Sequence, residues 1–350
     1  MTNLSNLTNL WNLTNLPIIQ APMAGVQGSA LAIAVANAGA LGSLPCAMLG
    51  PDALRAELNA FRSQSSKPLN VNFFCHTTPA PNPDLEAQWK AALAPYYREF
   101  GLELDQPPAG PQRRPFNDEA AEVLSEFKPE VVSFHFGLPP EELVARVKSW
   151  GAKVWSSATT LNEALWLEAN GVDAIIAQGV EAGGHRGIFL TDDLTDQPHT
   201  SPLVSQIVAK VSVPVIAAGG IANAVDVAAA LKLGAAAVQI GTAYLLCPEA
   251  TTSAVHRAAL KSPGARHTEL TNVFTGRPAR GIVNRLMREQ GPINHIAPPF
   301  PLAAAAVAPL RAKAESQGSG DFSPLWSGTN PSGCKEIPAA MLTRELAAEL

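Results

Sequence analysis

His185 lies in the segment Gly-Val-Glu-Ala-Gly-Gly-His-Arg-Gly at 179–187, directly after the apolar run Ala-Ile-Ile-Ala-Gln at 174–178. Imidazole changes charge near neutral pH, so it can orient an anion or take a proton. Glycines around it let backbone N–H groups close on a bound group. A strand that empties into such a turn reads as a binding or catalytic loop. A histidine tolerated there only for its left-handed backbone preference is the weaker reading, given the strand end before it.

Two further glycine turns follow apolar runs: Ala-Ala-Gly-Gly-Ile at 217–221, and Gln239, Ile240, Gly241 and Thr242, where Thr242 adds a hydroxyl. A lone Gly-Gly pair is usually only a tight turn. Two glycine turns at successive strand ends predict a site for a phosphorylated cofactor or substrate. Gln20, Asn70, Asn72, His135 and Gln178 are also polar in otherwise apolar runs. An unsatisfied buried amide costs about 1 to 3 kcal/mol, so each needs a partner. A flat heterocycle with carbonyls and ring nitrogens would supply partners, and so would neighbouring backbone for the two asparagines. Asn72, nearer the end of its run, is the better ligand candidate. Val131, Ser133 and His135 share one side of a strand, so His135 either faces a pocket or satisfies polar groups nearby.

Eight short apolar runs must position these residues, at 17–20, 40–44, 69–74, 131–136, 153–158, 174–178, 215–218 and 236–240. Between most of them lie amphipathic stretches such as 51–61, 141–150, 161–169 and 224–233, each ending near Gly or Pro as helices do. Alternation of this kind predicts an α/β fold with a parallel sheet, and eight units predict a (β/α)8 TIM barrel. The expected organisation is a low-complexity extension at 1–16 followed by one barrel domain at 17–350. A Pro-rich insertion at about 76–118 follows the third strand and should sit on the catalytic face. A helical, lid-like extension occupies about 250–350. Long insertions in compact domains are commonly lids or binding loops.

The remaining composition excludes more than it proposes. A net charge of -5 without basic runs argues against nucleic acid. No apolar stretch reaches the roughly 20 residues of a membrane span. Cys46, Cys75, Cys247 and Cys334 are far apart with no C-x-x-C pair, and His76, His199, His256, His267 and His295 show no ligand spacing, so no metal site is expected. The triplets Thr-Asn-Leu, Ser-Asn-Leu, Thr-Asn-Leu, Trp-Asn-Leu and Thr-Asn-Leu at 2–16 fit neither helix nor strand and lack the pattern of a signal peptide. The acceptor motifs at Asn3, Asn6 and Asn12 are therefore expected to stay unglycosylated, in a cytoplasmic protein that is either a monomer or a homodimer. Glu181 and Arg186 are expected to brace the histidine loop by an ion pair or backbone bonds. Trp89, Tyr96 and Tyr97 are expected to pack a lid, with closure over a substrate as the other role.

Gln-Ala-Pro-Met-Ala-Gly at 20–25, the 179–187 segment, Ala-Ala-Gly-Gly-Ile at 217–221 and Gln-Ile-Gly-Thr at 239–242 together resemble the nitronate monooxygenases, formerly 2-nitropropane dioxygenases. The resemblance runs from residue 17 to the C-terminus. After Trp326 the sequence Ser-Gly-Thr-Asn at 327–330 departs from the expected Gly-Gln pattern, and no role is assigned there. The resemblance implies an FMN-containing TIM barrel that oxidises alkyl nitronates, such as propionate 3-nitronate, with O2 through a flavin semiquinone. It places Pro22, Met23 and Ala24 against the isoalloxazine, Asn72 and Gln178 at its polar edge, and Gly183, Gly220, Gln239, Ile240, Gly241 and Thr242 around the ribityl phosphate. It makes His185 the catalytic histidine, while His135 is a candidate substrate contact on the strand reading alone.

Flavin enoyl-thioester reductases and NADH:quinone reductases carry a similar loop and would use NADH or NADPH. An epimerase or sugar-phosphate binder on the same barrel would hold no flavin at all.

Overall fold

The computed structural model describes residues 13–104 and 113–350. Most of the triplet repeat, with its motifs at Asn3, Asn6 and Asn12, therefore lies outside the described residues.

The strands are β1 (Ile18–Gln20), β2 (Gly42–Pro45), β3 (Leu69–Phe74), β4 (Val131–His135), β5 (Lys153–Ala158), β6 (Ala174–Gln178), β7 (Gly184–His185), β8 (Val215–Ala218) and β9 (Ala237–Ile240). All except β7 join one parallel sheet in the order β1-β9-β8-β6-β5-β4-β3-β2. The ring closes between its ends, where the Gln20 amide donates to the Leu41 carbonyl at 2.9 Å and the Leu41 amide to Ile18 at 2.9 Å. With helices between the strands, this is the (β/α)8 barrel that the sequence predicts.

Strands buried on both faces must be apolar on both. Ile18, Val71, Val132, Ile175 and Val238 face the helices, whereas Ile19, Val131, Trp155, Ile176 and Ile216 fill the barrel. The fourth run ends one residue early because Phe136 adopts φ 72° and Gly137 φ 86°. A bulky residue in that region is strained. The Arg277 guanidinium covers its ring at 4.0 Å.

The insertion after β3 contributes the helix Pro83–Phe100, which packs on Ala303–Ser316 from the C-terminal extension. Tyr97 donates its hydroxyl to the Ala306 carbonyl at 2.7 Å. Trp89, Tyr96 and Tyr97 are buried in this second core with Val307, Leu310 and Phe322. They are packing residues, and none closes over the barrel mouth. Strands β10 (Thr268–Thr271) and β11 (Ala279–Ile282) pair antiparallel with each other, and β11 pairs with β7, as a small sheet above the barrel. Among the described residues no helix is long and apolar enough to cross a membrane.

Candidate active site

Side chains alternate along a strand, so the apolar filling of the barrel gives way to polar groups at the C-terminal strand ends. Asn72 donates to the Ser133 carbonyl at 3.1 Å and to its hydroxyl at 3.0 Å. Asn70, one layer below, donates to Ser43 Oγ at 2.9 Å, and Gln20 bonds to Gln27 and Ser43. Asn70 and Gln20 thus serve the barrel itself. Above them opens a cavity with an empty volume of about 1400 Å3, counted out to its mouth. Pro22, Met23, Ala24, Asn72, His135, Gln178, Gly183, His185, Gly220, Gln239, Ile240, Gly241 and Thr242 all line it. Seven separate stretches of sequence thereby meet in one space.

His185 is not in a turn. It forms β7 with Gly184, opposite Ala279 and Arg280, and the positive φ of 74° belongs to Gly184. Its carbonyl accepts from Gln178 Nε2 at 2.9 Å and from His135 Nε2 at 3.1 Å. A carbonyl only accepts, so His135 carries its proton on Nε2 and presents Nδ1 to the Ser157 hydroxyl at 3.0 Å. Burial pushes His135 down to about 3, with the Arg277 and Arg186 charges adding to the effect. His135 therefore lines the cavity as a neutral ring with both nitrogens engaged by the protein. Gln178 Oε1 also accepts from the Gly187 amide at 2.8 Å. Both side chains hold the histidine loop in register.

The His185 ring lies 2.9 Å from Thr275 Oγ1 through Nε2. The Thr275 hydroxyl has the Arg277 carbonyl at 3.4 Å to donate to. Both contacts are satisfied when Nε2 donates to Thr275, an assignment from the hydrogen-bond network that leaves the Nδ1 lone pair without a protein partner among the described residues. Burial lowers the His185 pKa well below its ordinary value, and Arg113, His135, Arg277 and His76 act in the same direction. The ring is thus neutral at pH 7, with a bare nitrogen available to a ligand.

Of the two expected braces, backbone bonds rather than an ion pair hold the loop. Arg186 is fully buried and donates to the carbonyls of Gly179 at 2.7 Å and Gln178 at 2.8 Å, and to Gln197 at 2.9 and 3.0 Å. Burial lowers its pKa to about 10. Glu181 instead accepts from the Thr200 amide and hydroxyl, each at 2.8 Å, and meets His199 at 2.9 Å. No contact joins Glu181 to Arg186 among the described residues.

The segment 327–330, left without a role by the sequence, ties these loops together. The Gly328 amide donates to Thr242 Oγ1 at 2.9 Å, the Thr329 amide to the Glu181 carbonyl at 3.0 Å, and Asn330 Nδ2 to the Gly220 carbonyl at 3.1 Å. A Cβ on Gly183 would lie 2.5 Å from the Gly328 nitrogen, so the two backbones meet only because glycine stands there. Thr242 thus spends one lone pair on the tail and keeps its proton for another acceptor. Gly220 and Gly241 line the cavity, and among the described residues their amides donate to no protein acceptor. The buried Gln239 Oε1 also lacks a partner.

Thr275, Arg113, His256, Phe300 and Trp326 were not found from the sequence. His256 donates Nε2 to the Trp326 carbonyl at 3.1 Å, and Trp326 and Phe300 stand 5.6 and 5.2 Å from the His185 ring, centroid to centroid. These residues come from the insertion and the C-terminal extension, where no spacing motif links them to the barrel. Among the titratable lining residues are Arg113, His135, His185 and His256, with no Asp, Glu or Lys. An anion is the ligand such a lining favours. Among the described residues no group of His, Cys, Asp and Glu could hold a metal ion.

A family model described as nitronate monooxygenase matches residues 6–349. The chain is 42% identical over 347 residues to the nitronate monooxygenase of Pseudomonas aeruginosa, covering 95% of this chain and 96% of that protein. It is 41% identical over 339 residues to the nitronate monooxygenase of Paraburkholderia phytofirmans, covering 95% and 92%. Among solved structures, nitroalkane oxidase from Streptomyces ansochromogenes matches with a TM-score of 0.88 at 39% identity, covering 97% of each chain. FabK from Thermotoga maritima matches at 0.72 and 26%, covering 97% of this chain and 95% of that one. A match of this extent, on a barrel whose mouth gathers the same motifs around His185, makes the chain a member of the nitronate monooxygenase family and an oxidoreductase.

Proposed function

We propose that this protein oxidises alkyl nitronates with O2, giving a carbonyl product and nitrite or nitrate, and that FMN is its resident cofactor. The observation that carries this reading is the lining of the cavity: a neutral histidine, an arginine and no carboxylate, next to a cradle of glycine turns.

The residues fit FMN. Gln239 Oε1 is a buried acceptor awaiting a donor, and the N–H groups of Gly220 and Gly241 are donors awaiting acceptors. Glycine amides of this kind bind phosphate oxygens. Pro22, Met23 and Ala24 offer an apolar wall for a flat ring. When bound, FMN supplies an electron acceptor for the nitronate and a route for those electrons to O2. The chain positions the reactants. Arg113 and the N–H groups of the mouth attract the anion. His185 Nδ1, a lone pair in the neutral ring, takes the α-proton when a neutral nitroalkane enters. Protonated, the same nitrogen donates to the nitronate oxygens. Gln178, His135 and Thr275 keep the ring aimed, and Trp326 and Phe300 limit water around it.

Absorbance of the purified protein followed by oxygen uptake tests the reading. A yellow protein that consumes O2 with propionate 3-nitronate, and not with NADH alone, is expected. Rapid bleaching by NADH under anaerobic conditions, with the nitronate left untouched, would instead place the activity with the flavin reductases that share the loop.

A further inference from the structure

Directly after β4, Phe136 carries backbone strain, at φ 72°. Such strain persists only where its surroundings hold it, and it gathers at functional sites. The Ser156 hydroxyl fixes the bend by donating to the Gly137 carbonyl at 2.7 Å, and the Arg277 guanidinium lies 4.0 Å from the centre of the Phe136 ring. A cation is attracted to an aromatic face in this way. The ring in turn stands 4.5 Å from His135 and 6.0 Å from His185, centroid to centroid, so it bridges Arg277 to both histidines.

Arg277 reaches His185 by two further routes. It sits in the turn between β10 and β11, where Gly276 passes so close to the Pro298 carbonyl that no Cβ fits. Its Nη2 donates to the carbonyl of Ile188, three residues after His185. Its own carbonyl stands 3.4 Å from the Thr275 hydroxyl that meets His185 Nε2. That acceptor sets the tautomer, because a hydroxyl that donates to a carbonyl keeps lone pairs for an Nε2–H. Burial lowers the Arg277 pKa, and Asp192 and Glu163 oppose this without an ion pair among the described residues. Glu163 already accepts from Thr159, Phe189 and Leu190, and the buried Arg277 Nε has no partner.

Resting on the proton transfer proposed above, we propose that Arg277 is a positioning residue for that step, holding His185 through Phe136, Ile188 and Thr275 with Nε2 protonated and Nδ1 bare. In the step the α-carbon–hydrogen bond breaks, the proton passes to Nδ1, and the electron pair moves onto the nitro oxygens as the nitronate. The charge of Arg277 acts in the same sense. Burial does most to keep His185 neutral, followed by Arg113, His135, Arg277 and His76. Arg277 is also the leading charge, after burial, that keeps His135 and His76 neutral. A cation held beside these rings makes a further positive charge unfavourable.

The test compares kcat/KM by oxygen uptake for 1-nitropropane and for preformed propyl-1-nitronate, in the natural enzyme, Arg277→Met, Arg277→Gln and Arg277→Lys, each rate normalised to bound flavin. In Arg277→Met the nitroalkane value should fall roughly ten- to a hundredfold and the nitronate value by no more than about threefold, since only the first needs a base. The acid limb for the nitroalkane should move up by about half to one pH unit. Arg277→Lys, which keeps a charge and a donor, should recover most of both effects. Equal losses for the two compounds, or a limb that stays in place, overturn the proposal. Arg277→Gln can still donate to Ile188 without the charge, and it makes the same comparison if Arg277→Met does not fold. Nitrogen NMR of the histidine rings, with His185 assigned by its loss in His185→Asn, needs no turnover. In Arg277→Gln the His185 ring should take up its proton about half to one pH unit higher than in the natural holoenzyme, and coincident titrations overturn the proposal. If the natural enzyme turns over neither compound, the functional reading fails, and the ring titration still decides the role of Arg277.

Discussion

At the scale of single residues the proposed chemistry rests on which nitrogen of His185 is bare. Thr275 holds Nε2 at 2.9 Å, which leaves Nδ1 without a protein partner among the described residues. His185→Asn should keep the fold and the flavin and lose about 100- to 10,000-fold in turnover of neutral nitroalkanes, with a smaller loss for the nitronate anion, which needs no base. Unchanged nitroalkane turnover in an oxygen-uptake assay removes the base role. The pKa of His185 is depressed, so its basic form is already present at neutral pH. For a neutral nitroalkane, kcat/KM should therefore stay flat as pH falls from 8 to about 6.5 and decline only once the ring protonates. Thr275→Val should cost about tenfold in the same turnover and move the acid limb of that profile, while Thr275→Ser restores both. A merely structural role for Thr275 would lower stability without moving the limb.

At the scale of elements, short loops carry the site and a remote segment locks them. The tail at 327–330 bonds to the turns after β6, β8 and β9, and reaches them because Gly183 has no side chain. Gly183→Ala puts a Cβ 2.5 Å from the Gly328 nitrogen, so one backbone must move. Stability should fall by about 1 to 3 kcal/mol, and flavin should leave the protein more readily. Denaturant unfolding and the free flavin remaining after filtration check the two effects. Seven of the eight barrel runs agree with the strands to within one residue, because buried parallel strands are β-branched and bounded by glycine. The second run starts two residues before its strand. The fourth extends one residue past its strand, to Phe136, since no sequence rule anticipates a phenylalanine at positive φ under an arginine. Strand β7 is two residues long, and its partner β11 lies some ninety residues away, so no periodicity could reveal it.

At the scale of the whole molecule, several histidines are buried as neutral rings. Burial pushes His76 and His256 down to about 4 and His135 to about 3, from an ordinary 6.5. Below pH 6.5 the unfolded chain binds protons that the folded chain refuses. Stability is therefore fully retained above about pH 6.5 and is lost as pH falls toward 4. Calorimetric Tm should decline steadily over that interval, and a Tm indifferent to pH between 6.5 and 4 contradicts it.

Local sequence alone was enough for the barrel, for the strand ends that line the cavity, and for the histidine among them. These depend on local pattern: apolar runs, glycines and polar residues at strand ends, each readable within about ten residues. Which nitrogen of His185 is bare, that His135 serves its backbone, and that Arg113 enters the cavity came from the folded chain alone. Contacts between residues 50 and 90 positions apart, as between His135 and His185 and between His185 and Thr275, leave no spacing in the chain to be read.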